Sequence, residues 1–543
     1  MRRNYFIGID VGTGSARAGV FGRDGAMVST AKRDIALYQD GPDIAEQSSE
    51  NIWRAVCDSV REAVASAKAD GDDIAGIGFD ATCSLVVLGK NGAPVAVGPH
   101  GDASRNIIVW MDHRAAEQAR RINKTGHRVL DYVGGVISPE METPKLLWLR
   151  ENLPDAYASA WQFFDLPDFL TWRATGSLAR SICTVTCKWT YLAHEKRWDE
   201  SYFRQIGLGD LADQKFVRIG TEIVPAGRPL GDGLTADAAR DLGLKPGTPV
   251  GAALIDAHAG GVGSVGAKGD EGSALARMAY VFGTSACTMA SSTEPVFIPG
   301  VWGPYFSAMV PGLWLSEGGQ SSAGAAIDQI VSLHPATSEA REKAAARGIS
   351  LPELLADLAR EGLPSPSDAV HLAGDLIVVP DFLGNRSPHA DPGARAIIAG
   401  LGMERDLRSL VALYVAGVLG IGYGLRQIIV ASRAKGAKID TLALSGGAGR
   451  HPLIRQLLAD CTSVPVATSR QPEPVLLGSA MLGAVAGGAF RDLEAAMSAM
   501  SSIGEIFQPA TGAIAKTHDR RFAAFEALQA TARSVRDITH REQ

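Results

Sequence analysis

Two aspartates in this sequence stand beside turns of very small residues, and both positions suit chemistry on a phosphate. Asp10 precedes Gly12-Thr13-Gly14-Ser15, with Arg17 just beyond. So little side chain lets backbone N–H groups approach an anion closely, and Thr13 and Ser15 add hydroxyl donors. A carboxylate beside phosphate oxygens repels them unless a cation lies between, so Asp10 implies Mg2+ held partly through water. The plainer alternative is an acid that only helps the turn. Asp256 ends the apolar run VGAALI and is followed by Ala257, Ala259, Gly260 and Gly261. Strand ends that face a crevice are where α/β folds bind ligands. Its plainer role, capping the helix that follows, is compatible with that one.

Two further segments fit the same chemistry. MAYVFGTSACTMAS, residues 278–291, reads as strand, Gly283-Thr284-Ser285 turn and strand, an echo of the opening hairpin. LALSGGAGRHPLIRQLLAD, residues 442–460, runs an apolar strand into Gly446-Gly447-Ala448-Gly449 and then an amphipathic helix. Bare backbone there suits an adenine ring or an α-phosphate at a helix N-terminus; a tight turn needing positive φ explains it equally well. Two common nucleotide motifs are absent. No GxxxxGK[ST] occurs. The opening glycines miss the dinucleotide spacing and lead into a strand, not a helix.

These positions need a scaffold. Period-two alternation through Tyr5, Ile7, Ile9 and Val11, a turn, and a return to Phe21 predict a hairpin. A strand is expected over 35–38, a helix over 51–68 on the spacing of Ile52, Val56, Val60 and Val64, and a strand over 74–81. The segments METPKLLWLREN and LPDFLTWRATG read as helices. An apolar strand over 249–255 leads into a small-residue helix, and the tail after Arg491 reads as a helical, polar surface addition. A hairpin opening each half of the chain suggests a duplicated fold with a cleft between the halves.

At 543 residues the chain is too long for one ordinary core. Its 46 % hydrophobic and 21 % charged residues describe a globular protein. A formal charge of −6 argues against nucleic acid or an anionic membrane as the main partner. The six scattered cysteines contain no CxxC pair, which favours reduced thiols and a cytoplasmic location. Cys183 and Cys187 have metal-like spacing, but no second Cys/His cluster lies nearby in sequence. The start, MRRNYFIGID, lacks the long apolar core and cleavage site of a signal peptide. Two uncharged stretches, 410–425 and 474–490, fall short of a membrane span and read as buried helices.

In this order the elements resemble the FGGY carbohydrate kinases, a branch of the actin-like ATPases, over residues 5–488. KLLWLRE (145–151) matches the later part of one family signature, although Glu142 departs from its earlier part. AIIAGL (396–401) begins like the second. The resemblance implies an α/β fold of two ribonuclease H-like (actin-like ATPase) domains around a central catalytic cleft. Residues 1–256 would form the N-terminal domain, 257–490 the ATP-binding C-terminal domain, and 491–543 a helical extension. It implies Asp256 as catalytic base, Asp10 and Asp256 beside Mg2+, and Asp10, Gly12, Thr13, Gly14, Ser15, Arg17, Gly283, Thr284 and Ser285 around the ATP phosphates. Gly446, Gly447 and Ala448 would carry the adenine.

IVWMDHR (108–114) is similar to a sugar-contacting segment of the pentulose kinases, so Trp110, Asp112 and Arg114 join Ser84 and Lys145 as sugar candidates. On a strand, Asp112 and Arg114 would face one side; the plainer reading is a surface ion pair of little consequence. The run TCSLV (82–86), with DAH (256–258), resembles the D-ribulokinase branch, so the expected reaction is ATP-dependent phosphorylation of D-ribulose. Kinases for L-ribulose, xylulose, ribitol or glycerol are the near alternatives, and an actin-like chaperone or filament subunit the distant one. A homodimer is the default expectation.

Overall fold

The computed structural model describes residues 5–268 and 273–539. The basic start of the chain, residues 1–4, lies outside the described residues. Two sheets of matching topology organise the protein. In the first, the order is Leu254–Ile255, Ile74–Ala81, Tyr5–Val11, Ser15–Phe21, Met27–Asp34. In the second, Val466–Ser469, Thr441–Ser445, Arg277–Phe282, Ala286–Ser292 and Trp314–Gln320 repeat that order, with Trp302–Phe306 and Ile503–Phe507 added at the edges. Each hairpin pairs antiparallel, and its first strand runs parallel to the next strand inward. The duplication suggested by the two hairpins is present strand for strand.

Each terminal parallel strand leads into a helix of small residues: Asp256–Val265 after the first sheet, Pro474–Ala486 after the second. The two helices pack on each other, and Pro474–Ala486 also lies across Tyr5–Val11 and Ile74–Ala81. Glycine makes this approach possible. A Cβ on Gly78 would stand 1.9 Å from the Ser479 carbonyl oxygen, and one on Gly263 1.9 Å from that of Pro474. The halves are thus joined backbone to backbone, immediately beneath the residues expected to do chemistry.

The helix Ser49–Ser66 buries the predicted stripe Ile52, Val56, Val60 and Val64 against the first sheet, its Ser48 cap accepting the Asn51 N–H at 3.3 Å. The helices Glu142–Asn152 and Leu166–Thr175 form as expected. One described helix, Leu407–Ala434, is long and apolar enough to cross a membrane, but 89 % of its apolar window is buried inside the protein. Pro474–Ala486 is likewise buried.

Three expectations need correction. The strand after the first hairpin is Met27–Asp34, and only Tyr38–Gln39 of the predicted 35–38 region is paired. The run 249–255 forms a ladder only at Leu254–Ile255, with two isolated bridges, Val250 to Ile77 and Gly251 to Pro229. The segment after Arg491 is more than a helical surface addition. Ile503–Phe507 extends the second sheet antiparallel to Val466–Ser469, and Gly512–Thr539 buries His518, Phe525 and Gln529. The sequence conceals this strand because Ile503–Phe507, at the sheet edge, is mostly exposed and so lacks a clear apolar alternation.

Candidate active site

A cleft of about 520 Å3 opens between the two hairpin tips. From the first half it is lined by Asp10, Gly12, Thr13, Gly14, Ser15, Arg17, Trp110 and Asp256; from the second by Gly283, Thr284 and Ser285. Both tips close on themselves through a glycine N–H, Gly12 donating to the Ser15 carbonyl at 3.0 Å and, in a turn one residue shorter, Gly283 to that of Ser285 at 2.9 Å. The remaining turn backbone and the Thr and Ser hydroxyls border the cleft from both sides, a donor set suited to phosphate oxygens.

Acids gather on one side. Asp10 and Asp80 are register partners in neighbouring parallel strands, and Asp256 opens its helix beside them. Asp256 is not the helix cap; that position is Ile255, and the Asp256 carboxylate accepts the next N–H, of Ala257, at 2.8 Å. Burial first, and then the charge of Asp10, push Asp256 up to about 6. Burial and Asp10 likewise raise Asp80 well above the usual carboxylate range. Ser479 donates to one Asp80 oxygen, while the other is buried with no partner. Arg17 holds Asp10 through its Nε at 2.8 Å and a second nitrogen, and donates to Glu473 at 2.8 Å. Asp10 and Asp256 line the cleft with Asp80 buried behind them, and carboxylates beside a set of anion donors fit a hard divalent cation such as Mg2+.

The opposite wall is aromatic and charged. Lys188 and Arg386 both lie over Trp302, 4.8 and 5.2 Å from its ring centroid. Arg386 faces Glu140 at 3.8 Å. Burial alone would raise Glu317, but Lys188 and His258 more than reverse this and hold it at about 2. Cations and carboxylates alternating over a Trp face are the groups that hydrogen-bond a polyol and cover its C–H surface.

The sequence expectations divide here. Trp110 lines the cleft, and its indole donates to the Thr13 hydroxyl at 2.9 Å, tying this wall to the phosphate turn. Ser84, Asp112, Arg114 and Lys145 do not line it. Ser84 is buried and accepts the Trp110 N–H at 3.1 Å. Asp112 and Arg114 do not sit on a strand; the chain turns there, and Arg114 bridges Asp112 and Glu46 at 2.7 and 2.9 Å with both partners buried. This is neither a sugar contact nor the weak surface pair, but an internal brace that fixes the turn carrying Trp110. Lys145 is buried against Glu142 at 3.4 Å. Gly446, Gly447 and Ala448 lie outside this cleft, behind the second turn. Gly446 has φ 95°, and a Cβ there would stand 2.3 Å from the Phe282 carbonyl oxygen; Gly324 lies between Ala448 and Gly283. That placement suits the far end of a nucleotide whose phosphates reach the cleft.

Sequence reasoning misses Asp80, Glu140, Lys188, Trp302, Glu317 and Arg386. Asp80 has a signal, an acid inside the apolar strand IAGIGFDA. The others come one each from separate elements and carry no local pattern.

The models of the FGGY family of carbohydrate kinases match residues 5–263 (N-terminal domain) and 278–487 (C-terminal domain). A human FGGY carbohydrate kinase domain-containing protein is 48 % identical, covering 96 % of this chain and 95 % of its own. A D-ribulokinase of Saccharomyces cerevisiae is 39 % identical over 89 % of this chain and 72 % of its own. Among solved structures, a xylulose kinase from Rhodospirillum rubrum superposes with a TM-score of 0.79 at 22 % identity, covering 98 % of this chain and 99 % of its own. The fold is that of the two-domain, actin-like ATPases. With family models over most of its length and a cleft to match, the chain belongs to the FGGY family of carbohydrate kinases, ATP-using enzymes that phosphorylate a sugar.

Proposed function

We propose that this kinase phosphorylates a ketopentose, D-ribulose in first place, with Asp256 as the general base. The observation that carries the reading is the position of Asp256: it opens a helix at the floor of the cleft, between the two phosphate turns and the Lys188–Glu317–Arg386 wall. The D-ribulokinase relative and the TCSLV and DAH segments favour D-ribulose over other pentuloses.

Phosphoryl transfer passes through a loose transition state, so the protein has mainly to align the partners and stabilise charge. The sugar lies on Trp302 and Trp110, with Lys188 and Arg386 donating to its hydroxyls and Glu140 and Glu317 accepting. One hydroxyl points at Asp256. Its proton is lost late, so a carboxylate suffices as acceptor; burial and Asp10 make this one more basic than a free aspartate. Thr13, Ser15, Thr284 and Ser285 hold the phosphates from both sides. When bound beside Asp10 and Asp256, Mg2+ supplies charge neutralisation for the transferring group. A hydroxyl bound in this closed wall also keeps water from its place.

The test is ADP release with Mg-ATP across D-ribulose, L-ribulose, D-xylulose, ribitol and glycerol, with Asp256→Ala as control. Turnover confined to D-ribulose and lost in the variant supports the reading. A preference for another sugar keeps the kinase and rejects the substrate. Full activity in Asp256→Ala rejects the base.

A further inference from the structure

Close to Asp256, but outside the lining of the cleft, Cys183, Cys187 and His258 converge. Their ligand atoms all lie within 4.8 Å of one another, and all three residues are fully buried. The cysteines stand four apart on the helix Ile182–Lys188, so both thiols leave one face. His258 is the third residue of the helix Asp256–Val265. The sequence has no CxxC or CxxxH motif here; the third ligand arrives through the fold, from 75 residues away.

We propose that Cys183, Cys187 and His258 bind a Zn2+ that fixes the helix carrying Asp256. The geometry is close to what the ion needs. Zn–S of about 2.3 Å and Zn–N of about 2.0 Å in a tetrahedron place ligand atoms about 3.5–3.8 Å apart. Cys183 Sγ is 3.3 Å from His258 Nδ1, so small side-chain rotations admit the ion. The outer arrangement matches as well. A metal-bound imidazole almost always gives its other N–H to a carboxylate, a backbone carbonyl or water. Here His258 Nε2 faces Glu317 Oε2 at 3.4 Å, and neither atom has any hydrogen-bond partner in its present position. Charge favours a divalent ion: two thiolates neutralise it, and Lys188 lies next to Glu317. Three protein ligands are the count of an open zinc site, whose fourth position is taken by a non-protein ligand.

The site joins two parts of the first half that no disulfide links. Helix Ile182–Lys188 ends on Lys188, which lines the cleft, and helix Asp256–Val265 begins on Asp256, two residues before the ligand. Bound zinc therefore sets the spacing between the proposed sugar wall and the base, yet lies outside the cleft itself.

The test uses the full chain purified without chelator from zinc-supplemented medium, with its metal content measured and the metal then exchanged for Co2+. Expected are about one zinc per chain and, with cobalt, a thiolate charge-transfer absorption. Cys187→Ser should weaken that absorption and shift it, and Cys183→Ser/Cys187→Ser should abolish both the band and the zinc. A wild-type protein that carries no zinc and gives no cobalt–thiolate band overturns the proposal without any variant having to fold. So does a folded double variant that keeps its zinc. Neither readout depends on which sugar is phosphorylated, so the site and the substrate stand or fall separately.

Discussion

The two hairpins share a topology and differ in charge. In the first, the second pair in from the turn is Asp10 opposite Arg17; in the second it is Val281 opposite Cys287. The neighbouring parallel strand contributes Asp80 to the first and Ser445 to the second. The helix that follows begins with Asp256 in one half and with Pro474, after Glu473, in the other. At the turns themselves, one copy of the fold therefore carries the acids, and the other presents mainly neutral donors. A cleft built this way is polarised: a cation and a proton acceptor belong to one wall, and the anionic phosphates are met from both. The duplication supplies alignment, and the loss of symmetry supplies chemistry.

Removing the acid that most separates the halves should cost most. Asp256→Asn keeps the size of the side chain and its place at the helix start. It is expected to lower kcat by roughly 10²–10⁴-fold, with sugar KM and thermal midpoint little changed. An equal loss in Tm and kcat would show instead that Asp256 serves the fold.

The same residue sets a pH dependence. Asp256 must be deprotonated to accept the sugar proton, and its carboxyl sits at about 6. Activity should therefore fall about tenfold per pH unit below that value. Because Asp10 is one cause of the raised position, Asp10→Asn should move the acid limb toward lower pH while lowering the rate. A limb that stays in place in Asp10→Asn would break the electrostatic contrast between the two walls.

How far the sequence shows this follows from where each signal lies. Both hairpins, their glycine turns and Asp256 are local patterns of alternation and small residues, and the residues alone make them legible. The brace Glu46–Arg114–Asp112 escapes such a reading because a spacing of two suits a strand, whereas the chain turns there. Glu140, Lys188, Glu317 and Arg386 come from separate elements brought together by tertiary contacts. Nothing around any one of them distinguishes it from a surface charge. Ser84 and Trp110 are intermediate: their segments are recognisable, but Ser84 serves the wall by holding Trp110 and does not face the cleft.

The symmetry of the scaffold makes a stability prediction of moderate size. Gly78→Ala would push a methyl group into the Ser479 carbonyl, forcing helix Pro474–Ala486 away from the first sheet. Overpacking of this kind costs typically about 1–3 kcal/mol, seen as a lower urea midpoint. Since Ser479 also holds Asp80, activity should fall more than stability alone explains. Gly447→Ala, in the second half with open space around it, should leave stability almost unchanged. A similar loss in both would mean that the close backbone approach at Gly78 is not what sets its cost.

The smallest effect expected is at the far end of the chain. The C-terminal helix Gly512–Thr539 holds the loop that carries Arg386 into the cleft. Arg536 grips both oxygens of Asp391 at 2.9 and 2.7 Å, and the buried Gln529 bonds to Asp381 and His389. Arg536 is partly exposed, so Arg536→Ala should cost little stability. Its activity signature is more telling. A loosened loop shifts Arg386 relative to Glu140 and Trp302, all of which line the cleft near the proposed sugar site. Sugar KM should therefore rise a few-fold while kcat and the KM for ATP hold. A change in ATP KM instead would assign this helix to the nucleotide side of the polarised cleft, and would remove Arg386 from the sugar wall.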